Sequence, residues 1–124
     1  MVKSYSILVV DDSRSLRMVI RKLLESTDYL FSNIYEAGNG KEALDLLKDN
    51  EVNMVLTDIN MPEMDGINLV KVMKMREYDI PTIVVSTDAS QETVITAIKF
   101  GAKGYIKKPF SADKIKDVLD KFLK

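Results

Sequence analysis

A chain of 124 residues, 46% hydrophobic and 30% charged, has the size and composition of one globular domain spanning residues 1–124, and this excludes extended disorder. Its 18 basic and 19 acidic residues leave a formal net charge of −1, so there is no electrostatic basis for binding nucleic acid or an anionic membrane. The absence of Cys and His rules out disulfides, thiolate zinc sites, cysteine nucleophiles, serine–histidine catalysis and a phosphohistidine donor of its own, so any metal must be bound through oxygen, as Mg²⁺, Ca²⁺ and Mn²⁺ are.

Met1-Val2-Lys3-Ser4-Tyr5 lacks the apolar region of a signal peptide, and no segment approaches membrane-spanning length, so a soluble cytoplasmic protein is expected. Strand and helix then alternate five times. The first strand is predicted at about 6–10, and the first helix follows Ser13 with Leu16, Ile20, Leu23 and Leu24 on its core face. The second strand is placed at about 32–37. Asn39 is a good N-cap for the second helix, with Glu42 three residues on as in a capping box and Ala43, Leu44 and Leu47 facing inward. A third strand at about 53–57 leads through the loop 58–65 into a helix at about 66–76. A fourth strand at about 82–85 precedes a helix that follows Ser90 and stops at Gly101. The fifth strand is placed at about 104–107. The last helix follows Ser111, with Ile115, Val118, Leu119, Phe122 and Leu123 on one face. Strands one, three and four are nearly continuous apolar runs, as expected where helices cover both faces of a sheet. The alternation implies right-handed βαβ crossovers and a three-layer α/β sandwich, with no linker, repeat or second module.

Asp11, Asp12, Asp58, Ser86 and Lys108 each follow one of these short β-forming runs. In a parallel sheet all strand ends of one polarity share an edge, so five residues distant in sequence become neighbours. Singly they read blandly: Asp11-Asp12-Ser13 as a helix cap, Asp58 as the start of a turn toward Pro62, Lys108 as an exposed strand end and Ser86 as a turn cap. Together they make a costly assembly. Clustered carboxylates raise one another's pKa unless a cation lies between them. Two carboxylates and a backbone carbonyl from the loop after Asp58 would suit Mg²⁺, with water and phosphate completing its shell. A Lys-Pro bond such as Lys108-Pro109 can be cis and would then aim the ammonium one way, to pair with Asp58 at rest and with a phosphoryl group later. The Ser86 hydroxyl is placed to bond a phosphoryl oxygen. Tyr105 reads first as core packing and second as functional. The constellation points to a Mg²⁺-assisted phosphoryl acceptor.

Val10-Asp11-Asp12-Ser13, Asp58-Ile59-Asn60-Met61-Pro62-Glu63-Met64-Asp65-Gly66, Ser86 and Gly101-Ala102-Lys103-Gly104-Tyr105-Ile106-Lys107-Lys108-Pro109-Phe110 occur in that order across nearly the full length. In these elements the chain resembles bacterial response-regulator receiver domains, among them the stand-alone chemotaxis type. The resemblance implies a flavodoxin-like fold with strand order 2-1-3-4-5 and phosphorylation of Asp58 by a histidine kinase or phosphotransfer protein. It implies Mg²⁺, or Mn²⁺ in its place, on Asp12, Asp58 and the Asn60 carbonyl, with Asp11 contacting the ion through water. Ser86 and Lys108 would hold the phosphoryl oxygens, and Tyr105 would move inward with Ser86. Output would pass through the fourth helix, fifth strand and fifth helix. Asn60, Thr87 and Asp88 would tune the lifetime of the phosphoryl group. The position after Ser86 is usually small in that family, often Ala. A β-branched Thr87 would narrow access to Asp58.

The expected function is therefore a phosphorylation-dependent two-component signalling switch, its chemistry limited to its own phosphorylation and dephosphorylation. The expected partners are a kinase, a downstream target such as a flagellar motor switch in chemotaxis, and a phosphatase, with the chain itself a monomer. One alternative is a single-domain phosphorelay intermediate. Another is a Mg²⁺-dependent phosphohydrolase of the haloacid dehalogenase type, which needs a second acid two residues after its nucleophile. Those positions are Asn60 after Asp58 and Ser13 after Asp11. A non-catalytic module that is never phosphorylated is the third.

Overall fold

The computed structural model describes residues 3–87, 90–109 and 111–123. Strands and helices alternate as β1 (Ser4–Val10), α1 (Arg14–Glu25), β2 (Leu30–Ala37), α2 (Gly40–Asp49), β3 (Met54–Thr57), α3 (Gly66–Met75), β4 (Thr82–Ser86), α4 (Gln91–Lys99), β5 (Gly104–Lys107) and α5 (Ala112–Leu123). The strands form one parallel sheet in the order β2-β1-β3-β4-β5. The flavodoxin-like order implied by the resemblance is thus the order found.

Period-two geometry divides each central strand between two cores. Ile7 and Val9 of β1 pack with Leu56, Ile83 and Val85 against Ile20 and Leu24 of α1 and Ile115 and Leu119 of α5. Leu8 and Val10 point the other way, onto Ala43, Leu44 and Leu47 of α2 and Leu69 of α3. A smaller cluster of Val70, Val84, Ala97 and Ala102 seats α4, with Tyr105 packed on it. Strands buried on both faces must be apolar throughout, which is why β1, β3 and β4 read as unbroken runs.

Side chains start the helices, at Ser13, Asn39, Ser90 and Ser111 as expected and at Asp65 in addition. Each accepts a backbone N–H from the residue three positions on. Glu42 turns back, but onto the N–H of Gly38 and the side-chain amide of Asn39, not onto the Asn39 N–H of a standard capping box. Gly101, at φ 123, ends α4 in a conformation that suits only glycine.

Two expectations are corrected. β1 and β2 begin two residues early, pairing Ser4 with Leu30 and Tyr5 with Phe31 beyond an irregularity at Tyr5/Ser6. Ser32 and Asn33 interrupt the apolar pattern, yet an edge strand can expose them. Leu16 is on the expected face of α1 but is 39% exposed. In the first turn of α1, Leu16 lines a surface cavity with Val19, Thr87 and Pro109 instead of entering the core. Accordingly, Leu24→Ala, which empties a fully buried position, should cost about 2–5 kcal/mol in urea unfolding. Leu16→Ala should cost under about 1 kcal/mol. Equal losses would place Leu16 in the core after all.

Candidate functional site

The backbone ladder runs one residue past β1, β3 and β5 and lines up the residues that follow. Asp11 N–H donates to Ala37 O at 3.0 Å, Asp58 N–H to Val10 O at 2.8 Å and Lys108 N–H to Ser86 O at 2.8 Å. The loop after Asp58 folds back so that Gly66 N–H donates to Ile59 O at 2.7 Å. A Cβ at Gly66 would sit 2.1 Å from the Asp58 carbonyl oxygen, so only glycine lets α3 begin this close to the strand end.

Three carboxylates meet there. Asp11, Asp12 and Asp58 each present an oxygen, and these lie within 4.8 Å of one another. Asp11 is buried, Asp58 half-buried and Asp12 exposed. One oxygen of Asp11 accepts the Ser13 N–H at 2.8 Å, and the other accepts Lys108 Nζ at 2.9 Å. Asp58 Oδ1 accepts the Ile59 N–H at 2.7 Å, and its Oδ2 lies 3.3 Å from Lys108 Nζ. The ammonium expected on Asp58 is therefore shared and sits closer to Asp11. Asp11 is the more deeply buried charge and has the greater need of a partner.

Burial, joined by the charge of Asp11, pushes the Asp58 carboxyl above its ordinary value against the pull of Lys108 and the Ile59 N–H. Burial works against the Lys108 ammonium, but the hydrogen bond and charge of Asp11, then the charge of Asp58, hold its pKa above the usual lysine value.

Ser86 is the last residue of β4 and is buried; its carbonyl also accepts the Tyr105 hydroxyl at 3.5 Å. Tyr105 is half-buried on β5. Asn60 and Thr87 are exposed, and Thr87 borders an apolar cavity of about 290 Å³ with Leu16, Val19, Lys108 and Pro109. The Lys108-Pro109 bond is cis. Asp88 and Phe110 lie outside the described residues.

One part of the site escaped the sequence reading. Arg17 of α1 donates through Nη1 to the Asp11 carbonyl and through Nε to Glu36 Oε1 at 3.0 Å. Burial would raise the Glu36 pKa, but hydrogen bonds from Arg21 and Arg17 hold it below the ordinary value. The only sequence signal was two arginines four apart on α1 and a lone acid near the end of β2.

The carboxylate cluster lies at the carboxyl edge between β1 and β3, where the direction of strand succession reverses. That is the switch point at which open α/β sheets bind ligands, so fold and site define a flavodoxin-like α/β protein with an acidic ligand crevice. The response regulator receiver domain model matches residues 7–120, and the chain belongs to that family. Chemotaxis protein CheY-3 of Vibrio cholerae is 40% identical over 121 residues, covering 96% of this chain and 92% of that protein. The chemotaxis protein CheY homolog of Campylobacter jejuni is 42% identical over 120 residues, covering 94% and 91%. Among solved structures, the CheX-CheY-BeF3-Mg+2 complex from Borrelia burgdorferi matches with a TM-score of 0.86 at 27% identity, covering 97% of this chain and 90% of that one. The chain is thus a phosphorylation-dependent signalling switch and not a metabolic enzyme. Among the described residues, no helix is long and apolar enough to cross a membrane.

A carboxyl whose pKa is raised by folding binds its proton more tightly when folded, so ionisation above that pKa costs stability. In metal-free buffer at pH 7, Asp58→Asn should therefore raise the thermal midpoint. The gain should shrink as pH falls through the carboxylate range, where protonation removes the same charge. A lowered midpoint at pH 7 would mean that ionised Asp58 stabilises the resting fold.

Proposed function

We propose that Asp58 is the phosphoacceptor and that Asp11, Asp12, Asp58 and the Asn60 carbonyl hold Mg²⁺, with Mn²⁺ able to replace it. The observation that carries this reading is the Lys108 ammonium, 2.9 Å from Asp11 and 3.3 Å from Asp58, within a cluster of three carboxylates at the sheet edge. The donor set fits a hard divalent ion: it is all oxygen, crowded, and short of positive charge. When bound, the ion would neutralise the carboxylates and the phosphoryl oxygens.

An oxygen of Asp58 attacks phosphorus, and the bond from phosphorus to the donor's imidazole nitrogen breaks, its electron pair leaving with that nitrogen. Catalysis here is positioning and charge neutralisation, so the residues that matter are those fixed around the acceptor. Lys108 holds a phosphoryl oxygen, and the Ser86 hydroxyl donates to another. Tyr105, now beside the Ser86 carbonyl, turns inward as Ser86 is drawn to the new group. The altered face is that of α4, β5 and α5, where Ile95 and Ile98 are 56% and 46% exposed. Asn60, Thr87 and Asp88 tune how long the group survives. Asn60 and Ser13 offer no acid to protonate an alkoxide leaving group, which weighs against a phosphohydrolase.

In this reading the protein works in the cytoplasm as a monomer and a single receiver domain, and its chemistry is confined to its own phosphorylation and dephosphorylation. A histidine kinase or phosphotransfer protein loads it, a flagellar motor switch receives the signal, and a phosphatase ends it. The chemotaxis names of its relatives support the motor assignment, and the Borrelia complex, solved with CheX, supports a separate protein acting on the phosphorylated form.

Incubation with Mg²⁺ and acetyl phosphate should add one phosphoryl mass to the chain, and Asp58→Asn should abolish the gain. No gain in the wild type, or a persistent gain in the variant, would overturn the assignment. In the same assay Thr87→Ala should load and decay faster; unchanged rates would rule out a steric role for Thr87. For the target, purified flagellar motor switch protein should retain the beryllofluoride-treated chain more strongly than the untreated one. Retention instead by a histidine phosphotransfer protein acting downstream would favour the phosphorelay.

A further inference from the structure

We propose that Arg17 is a positioning residue for the acidic cluster, clamping the Asp11 peptide to the end of β2 through Glu36. The inference rests on the metal-binding reading of that cluster.

At Ala37 the edge strand gives its last ladder bond to this region, from the Asp11 N–H to Ala37 O. Gly38 N–H points away from β1, to Glu42 Oε1 at 3.3 Å, and the next N–H that a parallel ladder would turn toward Asp11 is that of Asn39. Among the described residues no backbone N–H, that of Asn39 included, reaches the carbonyl of Asp11, a residue buried almost completely. A buried carbonyl without a donor is costly, and α1 supplies one in the guanidinium of Arg17.

That guanidinium is itself fixed. Its Nε donates to Glu36 Oε1 at 3.0 Å, and only 16% of its side chain is exposed. The other Glu36 oxygen accepts Arg21 Nε at 3.2 Å and Nη2 at 2.9 Å, and Arg21 Nη2 also donates to Ile34 O at 2.6 Å. Arg17 is thus a planar fork between a locked carboxylate on β2 and the peptide that joins Asp11 to Asp12. The orientation of that peptide sets where two of the three carboxylates begin. Asp11 is consequently held at its N–H by Ala37, at its carbonyl by Arg17, and at its carboxylate by Ser13 and Lys108.

Charge alone predicts the opposite outcome from positioning. A fixed cation near a divalent-ion site repels the ion, so electrostatics by itself makes loss of Arg17 tighten metal binding. A positioning role makes the same loss weaken it.

The test is Mn²⁺ titration of the full chain followed by electron paramagnetic resonance, with thermal unfolding in EDTA as the measure of the fold. Arg17→Gln should weaken Mn²⁺ binding by about tenfold. Arg17→Lys keeps the charge but loses the fork, and should also weaken it. Arg21→Gln leaves both Arg17 bonds in place and should keep the wild-type affinity. Affinity in Arg17→Gln equal to or tighter than wild type overturns the proposal; a fall in unfolding temperature alone shows a structural role only. Should Arg17→Gln fail to fold, Arg17→Lys decides: binding weaker than in Arg21→Gln supports the clamp, and equal binding overturns it. A wild type that takes up no Mn²⁺ would instead remove the metal-binding reading itself.

Discussion

The rest of the site depends on one ammonium shared between two carboxylates. Asp11 is buried and Asp58 is half-buried, and their oxygens approach within 4.8 Å. Like charges at that range, partly withdrawn from water, would drive one carboxylate to protonate or the strand ends apart. Lys108 offsets one negative charge of the three. The remainder is visible in the raised pKa of Asp58, which burial and Asp11 impose despite the lysine. The resting site is therefore assembled but electrostatically incomplete, a condition that favours added positive charge. In our proposal the divalent ion meets that demand, and the phosphoryl group then gives the lysine a new anionic partner.

Such a site can exist because the fold spends little on it elsewhere. Helices cover both faces of the sheet, so β1, β3 and β4 are held by apolar packing on each side. Backbone bonds from the residues just past β1, β3 and β5, which are Asp11, Asp58 and Lys108, fix the strand ends. The side chains that repel one another are thus mounted on backbone that has little freedom to relieve the repulsion. Gly66 adds to this constraint, since the close return of α3 over the Asp58 carbonyl leaves no space for a Cβ.

What was legible in the sequence was what lies along the chain. Apolar runs gave the central strands, capping residues gave the helix starts, and the residue after each run gave the acidic cluster and its lysine. The edge region was harder to read. β2 is covered incompletely, so Ser32 and Asn33 carry no apolar period and its first residues were missed. Leu16 keeps the helical period of the core face although it borders a surface cavity and is partly exposed. The lysine's closer partner, Asp11 in place of Asp58, depended on relative depth, which strand-end position does not encode. The Arg17–Glu36 clamp joins the early part of α1 to the end of β2, and no local pattern announces a bond between them. Asp88, one of the expected tuning positions, lies outside the described residues.

The same geometry suggests how a local change of charge would reach a distant face. The Ser86 carbonyl takes the N–H of Lys108 and lies beside the Tyr105 hydroxyl, so one peptide touches both the charged site and an aromatic ring packed on the cluster that holds Ala97 of α4. Interiors packed at crystal-like density do not deform gradually; a shift of that peptide must be met by a discrete rearrangement of what rests on it. A coupling of roughly 1–3 kcal/mol is typical of such switches and can come from a few rearranged hydrogen bonds. Tyr105 is suited to this because it is half-buried: its ring has packing to lose or gain, and its hydroxyl has solvent as an alternative partner. The proposed output face, with Ile95 and Ile98 exposed on α4, is built on the same small cluster that holds this ring. A signal carried through it needs no large movement of the sheet, only a change in how one tyrosine is accommodated.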